Sequence, residues 1–167
     1  MSDSKTTGIR PARAGDAGAI AAIYNQGIEE RLATFETRQK GKAEIEELIA
    51  EDLVIVAERD SEVAGFAKVA PYEARSPYYA GIGEVTLYVE RDARRLGLGR
   101  ELLEGICAAA AERGQHKLVA KIFAGNEPSL ELFDACGFRR VGVHQRHAAL
   151  EGDWKDVVVV ERALIAA

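Results

Sequence analysis

Thirty residues, Ile82 to Ala111, constrain this chain more than any others. Gly83-Glu84-Val85-Thr86-Leu87-Tyr88-Val89 is rich in β-branched and aromatic residues with a rough alternation, which predicts a strand. Leu98, Leu102, Leu103 and Ile106 recur at helical spacing. Between the two runs a turn carrying Gly97, Gly99 and several arginines opens into the helix. A strand, a glycine-rich turn and a helix N-terminus together make an anion site, because the first amides of a helix lack internal partners. The glycines let the backbone approach a bulky phosphate and adopt positive φ where needed. The spacing is not Gly-x-x-x-x-Gly-Lys-Ser/Thr, which excludes a nucleotide-triphosphate loop. Gly-x-Gly-x-x-Gly and an early βαβ unit are also missing, which argues against a dinucleotide fold.

Charge points the same way. The 167 residues carry a formal net charge of −5, unfavourable for non-specific binding to nucleic acid or an anionic membrane. Residues 91–100 reverse that sign locally, with Arg91, Arg94, Arg95 and Arg100 against Asp92. Such a focus suits a small polyanion better than a long one. At 47% hydrophobic content the chain supports one domain with a proper core. Cys107 and Cys136, on predicted helical segments, lack metal or redox spacing and read as reduced core thiols of a cytoplasmic protein. There is no signal peptide and no apolar run long enough to span a bilayer.

Along the chain, Met1–Thr7 is polar and expected to fray. Ile9-Arg10-Pro11 predicts a short strand. Asp16 is placed as the N-cap of a helix bearing Ile20, Ile23, Tyr24 and Ile28. Arg31–Thr37 reads as a loop and Lys42–Glu51 as a second helix. Leu53–Glu58 and Val63–Ala70 form a hairpin about Asp60-Ser61-Glu62. Tyr72–Ala80 is loop-like. After the central strand, turn and helix, Gly114 stops the helix and Lys117–Phe123 is another strand. Asn126, with Pro128 just inside, starts a short helix ended by Gly137. Phe138–Ala149 and Trp154–Leu164 make a terminal hairpin. The result is a single domain over residues 8–165, of α+β class, with a mixed, mostly antiparallel central sheet flanked by helices.

Arg94-x-x-Gly97-x-Gly99, directly after a strand ending Leu87-Tyr88-Val89, resembles the pyrophosphate-binding motif of the GNAT superfamily of acyl-CoA-dependent acyltransferases. Asn126–Phe138 resembles its second signature, an asparagine that contacts the cofactor and a helix ending in Gly-Phe. Ile23-Tyr24-Asn25 with Ala33-Thr34-Phe35-Glu36, and Tyr72-x-x-Arg75, are similar to the phosphinothricin and methionine-sulfoximine N-acetyltransferases. The tail from His147 to Glu161 resembles the arsinothricin-acetylating relatives. The acceptors in that branch are glutamate-like amino acids.

The resemblance implies acetyl-CoA as co-substrate and no metal. Leu87, Tyr88 and Val89 would line its path, with the pyrophosphate on the amides of Leu96, Gly97, Leu98, Gly99 and Arg100, aided by Arg94 or Arg95. Asn126, Ser129 and Phe133 would complete the cofactor site. An amine must lose a proton before it attacks, and a positioned carboxylate can take it. Glu84 resembles the family's proposed base. The amide near Val89 would polarise the thioester carbonyl, freed where the strand bulges and leaves its neighbour. For the acceptor, Arg75 would pair with a carboxylate or phosphinate, and Phe35, Tyr72, Tyr78, Val85 and Thr86 would shape the pocket. Glu36 would act as a second carboxylate or meet the substrate ammonium. Phe133 takes the slot of the family's usual tyrosine acid. A thiol leaves tolerably as the thiolate, so no dedicated acid is required, and His144, His147 and Tyr88, the available substitutes, read as packed or surface side chains. A homodimer is the expected assembly. Polyamine or protein-amine acetylation, and a non-catalytic acetyl-CoA sensor, stay open as alternatives.

Overall fold

The computed structural model describes residues 7–164, and its elements follow the order expected from the sequence pattern. Strand β1 (Thr7–Pro11) precedes helices α1 (Ala17–Glu30) and α2 (Lys42–Glu51), then β2 (Leu53–Arg59), β3 (Glu62–Pro71) and β4 (Ile82–Val89). Helix α3 (Leu98–Glu112), β5 (Lys117–Phe123), α4 (Glu127–Ala135), β6 (Arg139–Leu150) and β7 (Asp153–Ala163) follow. The strands form one seven-stranded sheet in the order β1-β2-β3-β4-β5-β7-β6. All neighbours are antiparallel except β4 and β5, which α3 joins by a crossover as a parallel pair requires. The α+β class, with a mostly antiparallel sheet flanked by helices, is as expected.

The two faces of the sheet are buried differently. On one, Leu102, Leu103 and Ile106 of α3 and Leu130 and Phe133 of α4 pack on Val85, Leu118, Ala120 and Ile122. On the other, Ile20, Tyr24 and Ile28 of α1 and Ile45 of α2 cover Val54, Val56, Phe66 and Tyr88. That second cluster holds no residue of β5, β6 or β7. Beyond β4 this face is covered by Phe35, from the segment after α1, packed with Phe123, Leu150 and Val157. Helices α1 and α2 thus leave β5 to β7 uncovered on this face, apart from the small Phe35 cluster.

Local turn chemistry accounts for the joints. Asp60 and Ser61 both take left-handed φ (54° and 66°), so the hairpin closes on two residues and Glu62 already belongs to β3. Glu151 and Gly152 close the terminal hairpin in the same way, at 50° and 89°. Thr7, expected to fray, pairs with Arg59, while residues 1–6 of that expected terminus and residue 165 of the expected domain lie outside the described residues. Asp16 stands at the N-cap position of α1 but does not cap it by its side chain. Its carboxylate accepts from the Arg13 amide at 2.7 Å and from the Arg10 guanidinium at 2.8 and 2.9 Å, and the Arg10 bonds hold it below the usual carboxylate range. Cys136, expected within a helix, is the C-cap of α4. Among the described residues, no helix is long and apolar enough to cross a membrane.

Candidate active site

The site begins where two strands part. Strands β4 and β5 pair only through Ile82–Lys117, Gly83–Leu118 and Glu84–Val119. Beyond Glu84, β4 stays with β3 as far as Val89–Gly65, while β5 follows β7 to Phe123–Val157. The Tyr72 amide donates to the Ile82 carbonyl and the Glu90 amide to the Ala64 carbonyl. Hydrogen-bonding direction alternates along a strand, so Leu87 and Val89 turn their amides away from β3, toward the opening. The expected bulge is absent: the β3–β4 register runs unbroken from Pro71–Gly83 to Gly65–Val89. Divergence of β5 alone makes the gap.

Two clefts meet there and share Ala33, Leu87, Tyr88, Asn126 and Ser129. The first, about 510 Å³, runs along the turn before α3 and includes Arg94, Arg95, Gly97, Leu98, Gly99 and Arg100. Gly97 is the N-cap of α3 at φ 84°, a left-handed conformation that suits glycine, and Gly97 to Arg100, the turn whose first amides lack intrahelical partners, line this cleft. Arg95 also has positive φ (63°). Arg94, expected to aid phosphate binding, is instead committed to Glu30 by a bidentate pair at 2.8 and 2.7 Å, and its Nε donates to the Val89 carbonyl. It braces the turn on α1. Gln26 adds a second brace, donating to Glu90 and accepting from the Arg91 amide. Leu96 is exposed and lines neither cleft.

The second cleft, about 460 Å³, lies under the open face. Glu84, Val85, Thr86, Lys121, Phe133 and His147 are among its walls, and Phe35 closes it edge-on to Phe123 at 4.7 Å. Asn126 caps α4, its Oδ1 accepting from the Ser129 amide. Phe133 is buried and supplies no proton. Tyr88 borders both clefts, and burial pushes its phenol up to about 12, so it keeps its proton at neutral pH. His147 reaches the cleft because β6 carries three residues, 145–147, opposite Asp156 alone. The Arg146 amide donates to the Asp156 carboxylate at 2.7 Å across that irregularity, and His144 stacks on His147 at 4.3 Å outside the cleft.

Several expected acceptor residues stand elsewhere. Glu36 is not a cleft wall: Oε1 takes Lys40 at 2.6 Å and Oε2 takes the Tyr24 hydroxyl at 2.7 Å. Burial works to raise this carboxyl, but the Lys40 and Tyr24 bonds outweigh it and leave it below its ordinary value. Glu36 therefore ties the 31–41 segment to α1. Tyr72, Arg75 and Tyr78 lie outside both clefts, Tyr78 being 89% exposed. Lys121, by contrast, was not singled out from the sequence. A lysine interrupting the apolar run Leu118-Val119-Ala120-Lys121-Ile122-Phe123 was the available signal. Neither cysteine touches a cleft, and burial pushes the Cys107 thiol up to about 11, which leaves no reactive thiolate at hand. The arrangement suits direct transfer between two bound molecules, one in each cleft.

A family model described as the acetyltransferase (GNAT) family matches residues 21–138. The phosphinothricin N-acetyltransferase of Streptomyces viridochromogenes is 34% identical over 153 residues, covering 89% of this chain and 83% of that protein. The L-methionine sulfoximine/L-methionine sulfone acetyltransferase of Pseudomonas aeruginosa is 30% identical over 170 residues, 92% of each. Among solved structures, a phosphinothricin acetyltransferase from Sinorhizobium meliloti in complex with acetyl-CoA superimposes with a TM-score of 0.87 at 25% identity, covering 95% of this chain and 88% of that one.

Proposed function

The chain belongs to the GNAT family of acetyltransferases, and from that premise we propose that it acetylates the α-amine of a small glutamate-like amino acid with Glu84 as base. That it is an acetyl-CoA-dependent N-acetyltransferase acting on an amino-acid amine follows from its relatives. The finer reading rests on one observation. Glu84 sits at the last position where β4 pairs with β5, and it lines the acceptor cleft beside the gap.

In this reading the amides of Gly97 to Arg100, with Arg95, hold the pyrophosphate of acetyl-CoA. Arginine suits phosphate through its planar fork of donors. The pantetheine arm runs past Leu87, Tyr88 and Val89, between Asn126 and Ser129. The amide of Leu87 or Val89 donates to the thioester oxygen, and such fixed donors act on charge as it develops, worth several kcal/mol. Glu84 accepts the proton of the acceptor ammonium, directly or through one water, and the neutral nitrogen then attacks the carbonyl carbon. With Phe133 in the usual acid's place, the sulfur leaves as thiolate, tolerable for a thiol that titrates near about 8.5. Tyr88, proton-bearing on the border of both clefts, supplies a hydroxyl to steady it.

The same proposal makes the enzyme a cytoplasmic homodimer in which the 72–80 segment, with Arg75, completes the partner's acceptor cleft. Its acceptors are of the phosphinothricin, methionine sulfoximine or sulfone, or arsinothricin type, whose acetylation would confer resistance to such antibiotics or herbicides. The test is thiol release from acetyl-CoA across that panel, alongside polyamines and lysine peptides. Turnover with at least one glutamate analogue is expected. Activity confined to polyamines or lysine peptides overturns the acceptor assignment.

A further inference from the structure

Lys121 is in an unusual position. It sits in the middle of β5, a central strand whose other residues from Leu118 to Phe123 are buried, and its backbone pairs with Val159. Lysine is seldom found at such sites without a partner. Its side chain escapes because α1 and α2 stop at β4, leaving this part of the face uncovered. What it enters is the acceptor cleft, where it is the only lysine or arginine among the described lining residues and Glu84 is the only carboxylate. The Lys121 ammonium lies 3.5 Å from Glu84 Oε2. That is long for a charge-assisted hydrogen bond, which favours about 2.7–2.9 Å. The pair faces the same opening, each side chain partly exposed, at 48% and 31%.

We infer that Lys121 determines acceptor specificity, its ammonium taking the α-carboxylate of an amino acid whose amine faces Glu84. The inference rests on the proposed acetyl transfer and adds the acceptor's recognition element. In an α-amino acid the nitrogen and the carboxyl carbon are about 2.5 Å apart. A zwitterion set against Glu84 and Lys121 therefore places each of its charges on an opposite one, in an alternating ring of four. A simple amine, a polyamine or a lysine side chain supplies only the cation and brings it toward Lys121 without compensation. The site thus selects by repulsion as well as attraction. Arg75, outside the cleft of its own subunit, is then left for the acid at the far end of the acceptor.

The test compares two acceptors differing only at the α-carboxylate: the amino acid that the wild type uses best, and its decarboxylated amine. Wild type, Lys121→Met and Lys121→Arg are assayed with both at saturating acetyl-CoA. Lys121→Met is expected to raise KM for the amino acid about 10–100-fold, the scale of a lost bond to a charged group. It should leave the decarboxylated amine unchanged or improved, and Lys121→Arg should restore most of the preference. If Lys121 merely held Glu84 in place, both acceptors would lose kcat together and their ratio would not move. A ratio unmoved in Lys121→Met therefore overturns the inference while acetyl transfer stands. Wild type inactive on every amino acid would instead overturn the proposed acceptor class. Unchanged acetyl-CoA affinity by calorimetry shows that the variants are folded.

Discussion

Gly27 of α1 lies flat against the ring of Tyr88, so close that a methyl group built on it would overlap Tyr88 Cε1 and stand 2.7 Å from Cδ1. The same ring packs on Tyr24 and Phe66, at centroid distances of 5.1 and 5.7 Å, and cannot retreat into the core. A helix glycine normally costs about 1 kcal/mol relative to alanine. Here the close approach reverses the balance. Gly27→Ala is expected to lose about 1–3 kcal/mol by overpacking. Because Tyr88 borders both clefts, acetyl-CoA should also bind more weakly. Urea unfolding and calorimetry read the two effects, and a variant more stable than wild type would show that the ring yields freely.

Removing the proposed base has its own signature. Glu84→Gln should lower kcat by about 10²–10⁴, the usual worth of a positioned general base. Acetyl-CoA affinity should not change, since Glu84 borders only the acceptor cleft. The deficit should narrow as pH climbs through the acceptor amine's own pKa, where the base is no longer needed. A rate profile parallel to that of wild type at every pH would refute this role.

The brace between Glu30 and Arg94 predicts an acid-sensitive term in stability. Arg94's hydrogen bonds hold the Glu30 carboxyl below its ordinary value despite partial burial. A carboxyl lowered by folding stabilises the fold fully above its unfolded-state pKa, and that contribution disappears as pH falls through the folded value. Glu30→Gln is thus expected to cost up to about 1 kcal/mol at pH 7, the range of partly exposed pairs. It should cost nothing once both states are protonated. Urea midpoints of wild type and variant at neutral and strongly acidic pH give the comparison.

Asp52 behaves in the opposite sense. It ends α2 as its C-cap, and burial raises its carboxyl, only partly countered by Lys68. A carboxyl raised by folding costs nothing below its unfolded pKa and its full penalty above the folded one. A negative charge at a helix C-terminus adds to that penalty. Asp52→Asn should therefore stabilise the protein at pH 7, by about 0.3–1 kcal/mol for the dipole contribution alone. The gain should fade as pH falls through the raised folded value and be gone below about pH 4. Thermal melts across that range would expose an error in sign.

Much of the fold could be read directly from the residues. The bounds of α2 and β5 coincide with Lys42–Glu51 and Lys117–Phe123 as expected, because their apolar spacing is unambiguous and turn residues flank them. The turn before α3 was legible for the same reason, since Gly97 and the first turn of that helix follow from local backbone geometry. The acceptor cleft was not. Glu36 looked available as a substrate contact until the folded chain set Tyr24 and Lys40 against it. Arg94 looked free for phosphate, yet its partner, Glu30, is 64 residues away. Lys121 became visible only once β5 was seen to leave β4.

By itself, the sequence determined which segments become strands and helices, their order, and which helix N-terminus opens onto a cleft. These follow from periodicity and turn conformation, which act between near neighbours. The tertiary structure alone decided which charges pair and which are left to face a ligand. A charged side chain bonds whichever opposite group comes within a few ångströms, and it is the packing of the turn before α3 on α1, and of β5 beside β4, that brings Glu30 to Arg94 and Lys121 to Glu84.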